Sequence, residues 1–225
     1  MAAAAQPPGL ADGEIPEVSF RVDDCGPLEH AAVPTLRFGL AIEGPAGVAI
    51  RALLLNVQIQ IAARLRPYDE TEQEKLVELF GTPDRWGSTL RTVPWVRTTI
   101  AVPPFVDRTA IELPVTCTYD LEVSASKYFD ALGGGEVPLE FLFSGSVFYA
   151  NRAGALQTTR ITWESEASFA LPVRTWKATM QAHFPDAAWL RLDRDRFDRL
   201  QAYRARNALP SWEAALDALL EDDRG

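Results

Sequence analysis

Asp23, Asp24, Cys25, Glu29 and His30 crowd metal-type ligands into one short stretch, and a thiolate near an imidazole is a pairing that holds soft ions such as zinc. A closed tetrahedral site needs four ligands, and the other cysteine and histidine, Cys117 and His183, lie far along the chain with no paired spacing. The stretch therefore reads as a polar loop beside a strand, with no metal. Gly133-Gly134-Gly135 has the backbone freedom of a phosphate-cradling loop, but that chemistry also needs a cation and a helix N-terminus after the glycines. Glu136 and an apolar alternation follow instead, so the glycines read as a helix stop. Ser144 and Ser146 flank Gly145 without a Gly-x-Ser-x-Gly elbow, and only His30 and His183 are available as a base. Glu164 and Glu166 share one side of a strand, as paired hydrolase carboxylates would, a spacing that acids on a solvated strand also have. Tyr119, Asp120 and Glu122 are scattered groups from which an enzyme site without a local motif would be assembled. No catalytic constellation results. The expectation is a non-enzymatic protein without catalytic residues or cofactors.

Residues 191–206 present a different temptation, because six arginines against three aspartates on an amphipathic helix, followed by a turn and another helix, have the look of a DNA-reading unit. The aspartates interleave with the arginines at spacings that let them pair along the helix. With a net charge of −9 for the whole chain, the segment reads as a salt-bridged solvent face, and no nucleic-acid partner is expected. Six tryptophans are more than a core of this size buries with ease. Trp86, Trp95, Trp163 and Trp189 are the candidate partner-binding residues, since aromatics are enriched at interfaces.

The elements that would position these groups follow from hydrophobic periodicity. Val18, Phe20 and Val22 alternate with polar residues, as do Leu36, Phe38, Leu40 and Ile42, and then Leu53, Leu55, Val57, Ile59 and Ile61 after the turn Gly44-Pro45-Ala46-Gly47. The last two runs read as an antiparallel pair joined by that turn. Asp69 caps a predicted helix to Phe80, with Glu72 at the capping-box position and Gly81 as its stop. Strands are predicted at 95–102 and 109–123, a brief helix at 124–132, a long strand at 139–149 with an irregularity at Ser144-Gly145-Ser146, and two more strands at 157–163 and 167–171. Three helices follow: one begins at Pro172 and carries Trp176 and Met180, one is capped by Asp193, and one is capped by Ser211. The last has the full apolar stripe Trp212, Ala215, Leu216, Leu219 and Leu220, expected to dock on its own domain.

This pattern predicts an α+β fold: an antiparallel, β-rich core of seven or eight strands, arranged as a sandwich or a SecB-like sheet, with helices packed at the C-terminal end. Residues 1–15 are expected to be a flexible tail and 16–221 a single globular domain, β-rich over 16–171 and helical over 172–221. At 47% hydrophobic and 24% charged the composition is that of a folded chain able to build a core without disulfides or metals. Two widely separated cysteines suit a reducing compartment, no export signal is legible in MAAAAQPPGLADGE, and no apolar run approaches the length of a membrane span. A cytoplasmic location without membrane attachment is expected.

The segments AAVPTLRFGLAI, LLLNVQIQIAARLRPYD, LFGTPDRWGSTLRTVPWVRTT, LPVTCTYDLEVSASKYFDAL, GEVPLEFLFSGSVFY and LPSWEAALDALL together resemble an actinobacterial family of unknown function encoded near the genes of nickel–iron uptake hydrogenases. The resemblance implies an accessory role in hydrogenase biogenesis or assembly, with hydrogenase subunits or maturation factors as protein partners. It carries over no catalytic residue. A fainter similarity of pattern, through PLEFLFSGSVFYA, LPVRTWKATMQAHFP and FDRLQAYRA, links the chain to SecB-type chaperones and implies the alternative of binding unfolded polypeptide. The oligomeric state stays open at this point.

Overall fold

A computed structural model describes residue 10 and residues 14–118, 120, 123–162, 164–185 and 191–222. The chain divides into two compact units, Met1–Ala188 and Trp189–Gly225. Among the described residues of the first unit nine antiparallel strands form two sheets, giving the expected α+β fold with a β-rich core. The smaller sheet has the order β1 (Ser19–Pro27), β2 (Thr35–Glu43), β6 (Arg108–Thr116). The larger has β4 (Val93–Val102), β3 (Ala49–Ile61), β7 (Glu136–Ala150) and β8 (Leu156–Arg160) in line, with β5 (Phe105–Val106) beside β3 and β9 (Glu166–Pro172) beside β7.

Alternation puts one face of each sheet into a shared core. Leu36, Phe38, Leu40 and Ile42 of β2 and Leu53, Leu55, Val57, Ile59 and Ile61 of β3 are all fully buried. Each such side chain contributes about 1.5–3 kcal/mol relative to exposure. Phe38 meets Phe141 and Phe169 edge-on across the layers, at ring-centroid distances of 5.2 and 5.9 Å, and Phe20 stacks on Phe143 at 4.3 Å. The sheets thus face each other as a sandwich.

The pairing of β2 with β3 is a correction. β2 lies between β1 and β6, whereas β3 belongs to the other sheet, so the turn at Gly44–Gly47 carries the chain across the sandwich and closes no hairpin. One buried face per strand is satisfied equally by a neighbour in the same sheet and by a strand in the facing one, so alternation alone did not decide. Asp107, at the return crossing from β5 to β6, accepts the amide of Gly44 on its carbonyl (2.7 Å) and that of Gly47 on its carboxylate (2.6 Å). The two crossings share one corner.

β7 is the long strand expected, and Gly145 explains its irregularity. Its φ is +142°, and a Cβ there would stand 1.9 Å from the carbonyl oxygen of Leu54 on β3. Only glycine allows that approach. At the same place β7 changes partner, from β9 along 136–142 to β8 along 146–150.

Between β3 and β4 lie α1 (Glu70–Phe80) and the short α2 (Trp86–Thr89), and between β6 and β7 lies α3 (Ser124–Ala131). Asp69 caps α1 by accepting the amide of Glu72 at 2.8 Å, and Gly81 ends it with φ +74°. α4 (Val173–His183) follows β9 and buries Val173, Trp176, Thr179 and Met180. Leu10, within the expected tail, forms an isolated bridge with Asn151.

The second unit is a helical hairpin. α5 (Arg194–Arg206) is capped by Asp193, and α6 (Trp212–Asp222) has its Ala214 amide held by the Ser211 hydroxyl. Trp212 packs against Phe197 at 5.4 Å and under the Arg204 guanidinium at 4.0 Å. Ala215 is fully buried, but Leu216, Leu219 and Leu220 are 42%, 39% and 63% exposed. Within the hairpin α5 covers one side of α6, and an apolar arc this wide exceeds what a single neighbouring helix hides.

Candidate functional site

Three places gather polar groups. The first is buried, where the segment leaving β3 meets the triglycine loop. The Arg66 Nη2 atom donates to both carboxylate oxygens of Glu72 (3.0 and 3.1 Å) and to the Gly134 carbonyl (3.1 Å), while the Gly133 amide donates to Glu72 (2.8 Å). The Arg66 and Glu72 side chains are only 9% and 5% exposed. Beside them the Tyr68 hydroxyl donates to the Ala63 carbonyl at 2.6 Å, which leaves its oxygen to accept from Tyr128 at 2.7 Å. Burial pushes both phenols above their ordinary range. The Gly135 carbonyl accepts the first amide of α4, from Val173, at 2.9 Å. α3 ends at Ala131 with Leu132 as its extended C-cap, just ahead of the glycines, so no glycine in a left-handed turn stops it; the triglycine loop instead ties α1 to the end of α3 through one ion pair and to α4 through the Gly135 carbonyl. Glu72, predicted to complete a capping box, spends its carboxylate on this tie.

Nucleophiles and bases are similarly engaged. Burial pushes the Cys25 and Cys117 thiols up to about 12, which keeps both protonated at neutral pH. His183 has its Nδ1 3.0 Å from the Thr179 carbonyl and its Nε2 3.1 Å from the Ala31 carbonyl. Tyr119 and Glu122 lie outside the described residues. Among the described residues no three His, Cys, Asp or Glu side chains are placed to share a metal ion.

The second place is an open cleft of about 640 Å3 at one end of the sandwich. Four glutamates from three segments line it: Glu17 ahead of β1, Glu43 at the end of β2, and Glu164 and Glu166 around the entry to β9. Ser19, Ser165 and Thr162 add hydroxyls, and Val18, Phe20 and Pro45 add apolar surface. None of the four glutamates forms a salt bridge among the described residues. Among the described residues no three of these carboxylates are placed to share a metal ion, and an open acidic surface of this kind suits spread cations such as arginine and lysine side chains of a polypeptide.

Sequence reasoning singled out Glu164 and Glu166 as a strand pair and missed Glu17 and Glu43. The signal for the latter two lies only in the register, where Ser19 pairs with Glu43. Of the candidate partner-binding tryptophans, Trp86 and Trp95 do not line this cleft. Trp86 donates its indole N–H to the Gly81 carbonyl at 2.8 Å and packs on Tyr68 and Phe80, and Trp95 packs on Phe129 and Phe38; both are half-buried at the rim of the core. Trp163 and Trp189 lie outside the described residues. Of the remaining two, Trp176 is buried against Phe129 and Trp212 belongs to the helical hairpin.

The third place is on that hairpin, a groove of about 580 Å3 lined by Arg196, Arg199, Tyr203, Arg206 and Leu219 among others. On α5 the predicted pairing of arginine with interleaved aspartate is present, as Arg194 with Asp198 at 3.1 Å and Arg196 with Asp193. No helix among the described residues is long and apolar enough to cross a membrane.

No curated protein matches the sequence. Solved structures resemble it weakly. The CARDB domain of a Pyrococcus furiosus protein, solved in complex with di-metal ions, is 9% identical at a TM-score of 0.28, over 70% of this chain and 92% of that one. A late embryogenesis abundant protein is 12% identical at 0.32, over 72% and 74%. A Kluyveromyces marxianus β-glucosidase is 8% identical at 0.25, over 70% of this chain and 15% of that one. A family model matches residues 15–225, and by that match the chain belongs to the family of unknown function DUF6084.

Proposed function

We propose that this chain is a non-enzymatic accessory protein whose acidic cleft binds a basic segment of a protein partner. The observation that carries this reading is the cleft itself: four glutamates from three parts of the chain, none in a salt bridge among the described residues, around apolar and hydroxyl surface. Like charges gathered by a rigid scaffold cost stability, and a cationic ligand offsets that cost on binding. The engaged histidine, the protonated thiols and the structural use of Arg66, Glu72 and the tyrosine pair support a binding role over catalysis. The resemblance in the amino-acid strings names the partner class, the subunits or maturation factors of a nickel–iron hydrogenase, and the work is done in the cytoplasm.

Deleting the gene in a host that carries such a hydrogenase is expected to lower hydrogen uptake. Wild-type protein should restore it, and a variant carrying Glu17→Lys, Glu43→Lys, Glu164→Lys and Glu166→Lys should not, although it folds. Unchanged uptake and subunit levels on deletion would end the hydrogenase reading. Full rescue by the charge-reversed variant would end the role of the cleft. Binding of an unfolded polypeptide irrespective of its charge would favour the SecB-like alternative.

A further inference from the structure

On α6, Leu216 and Leu220 stand one turn apart and are 42% and 63% exposed, and Leu219 beside them is 39% exposed. Glu213, Asp217 and Glu221 repeat at the same spacing and form an acidic row next to those leucines. No lysine or arginine occurs in this helix. α5 is its electrostatic opposite, with Arg196, Arg199 and Arg206 around a groove that is also lined by the half-buried Leu200 and Tyr203 and by Leu219. Arg199 and Arg206 form no salt bridge among the described residues. One hairpin therefore carries both halves of a complementary contact, a basic apolar groove and an acidic leucine row.

We propose that the groove takes α6 of a second copy of the chain. A two-fold axis makes the contact twice, the leucine row of each copy entering the other's groove and its acidic row facing the other's arginines, so that two hairpins become a four-helix bundle. The interface is separate from the acidic cleft, and its test does not depend on what the cleft binds.

Sedimentation of the full chain should show a species of twice the 24.8 kDa protomer. Leu220→Asp should weaken self-association by at least about tenfold and leave the melting temperature of the dilute protein unchanged. Arg199→Glu should weaken it as well, and the combination of Arg199→Glu with Asp217→Arg should restore it, an outcome that a damaged fold does not give. A wild-type chain that stays monomeric at every concentration overturns the proposal. So does a dimer indifferent to Leu220→Asp, or a monomer that Leu220→Asp destabilises, since the stripe would then be covered by its own chain.

Discussion

Arg66 with Glu72 and Arg194 with Asp198 are the same kind of pair at nearly the same distance, 3.0 and 3.1 Å. Their side chains are 9% and 5% exposed in the first case and 83% and 51% exposed in the second. In the first the charges are committed to architecture, for losing either partner strands the other away from water. In the second the charges are solvated, screened and individually dispensable. The acidic cleft is a third condition, like charges gathered in the open and in no salt bridge among the described residues. Burial, more than residue type, decides which charges hold the fold and which stay in solvent.

The largest expected effect breaks the buried member. Glu72→Ala should destabilise the protein by about 3–5 kcal/mol, read from denaturant unfolding, because Arg66 and the Gly133 amide lose their acceptor. Glu72→Gln should cost less, since an amide oxygen still accepts from both. An equally small loss for the two variants would mean that the pair is not the tie described.

Gly145→Ala comes next. The new methyl would collide with the Leu54 carbonyl at a φ that side chains rarely adopt, so a loss of about 2 kcal/mol or more is expected. Gly134→Ala, with nothing within 4 Å of the added Cβ, is the matched control on the triglycine loop and should be tolerated.

Alkaline pH sharpens the contrast between buried and exposed groups. The Cys25 and Cys117 thiols ionise near 9.0 when unperturbed and near 12 in the native protein. Their folded values are raised, so their contribution is fully present below pH 9.0 and is lost as pH climbs towards 12. Unfolding midpoints measured from pH 8 to 11 should fall, and Cys25→Ser with Cys117→Ser should flatten the decline. The buried tyrosines push in the same direction at the upper end.

The smallest effect belongs to the exposed pair. Arg194→Ala or Asp198→Ala should change stability by less than about 0.5 kcal/mol. Gel-shift titration of duplex DNA should show no salt-sensitive complex. A complex abolished by Arg196→Glu would show that the hairpin arginines serve nucleic acid after all.

Most strand positions, the long β7 with its irregularity at Ser144-Gly145-Ser146, the Asp69, Asp193 and Ser211 caps and the α5 ion pairs were legible in the sequence, because each rests on periodicity or on contacts within a few residues; the strand expected over 109–123 instead ends at Thr116, and the two-residue β5 was too short to show a period. Sheet membership was not. The crossing between β2 and β3 depends on Asp107, far along the chain, and alternation reads the same for a sheet neighbour and a facing strand. The cleft was half legible: Glu164 and Glu166 stood out as a pair, but Glu17 and Glu43 join them only through the β1–β2 register and the closure of the sandwich. Trp86 and Trp95, chosen for their surface potential, were absorbed by aromatic packing at the core rim, since a large ring finds apolar neighbours wherever the core ends.

The central claim is that the cleft is where a protein partner docks, and a photo-crosslinking residue placed at Ser165 inside it tests that most directly in cells expressing the hydrogenase. The account predicts covalent adducts with a hydrogenase subunit or maturation factor, lost when Glu164→Lys and Glu166→Lys are introduced and absent when the crosslinker is moved to Thr158 on β8. Adducts of equal yield from Thr158, or none from Ser165 while the hydrogenase is being assembled, would contradict it.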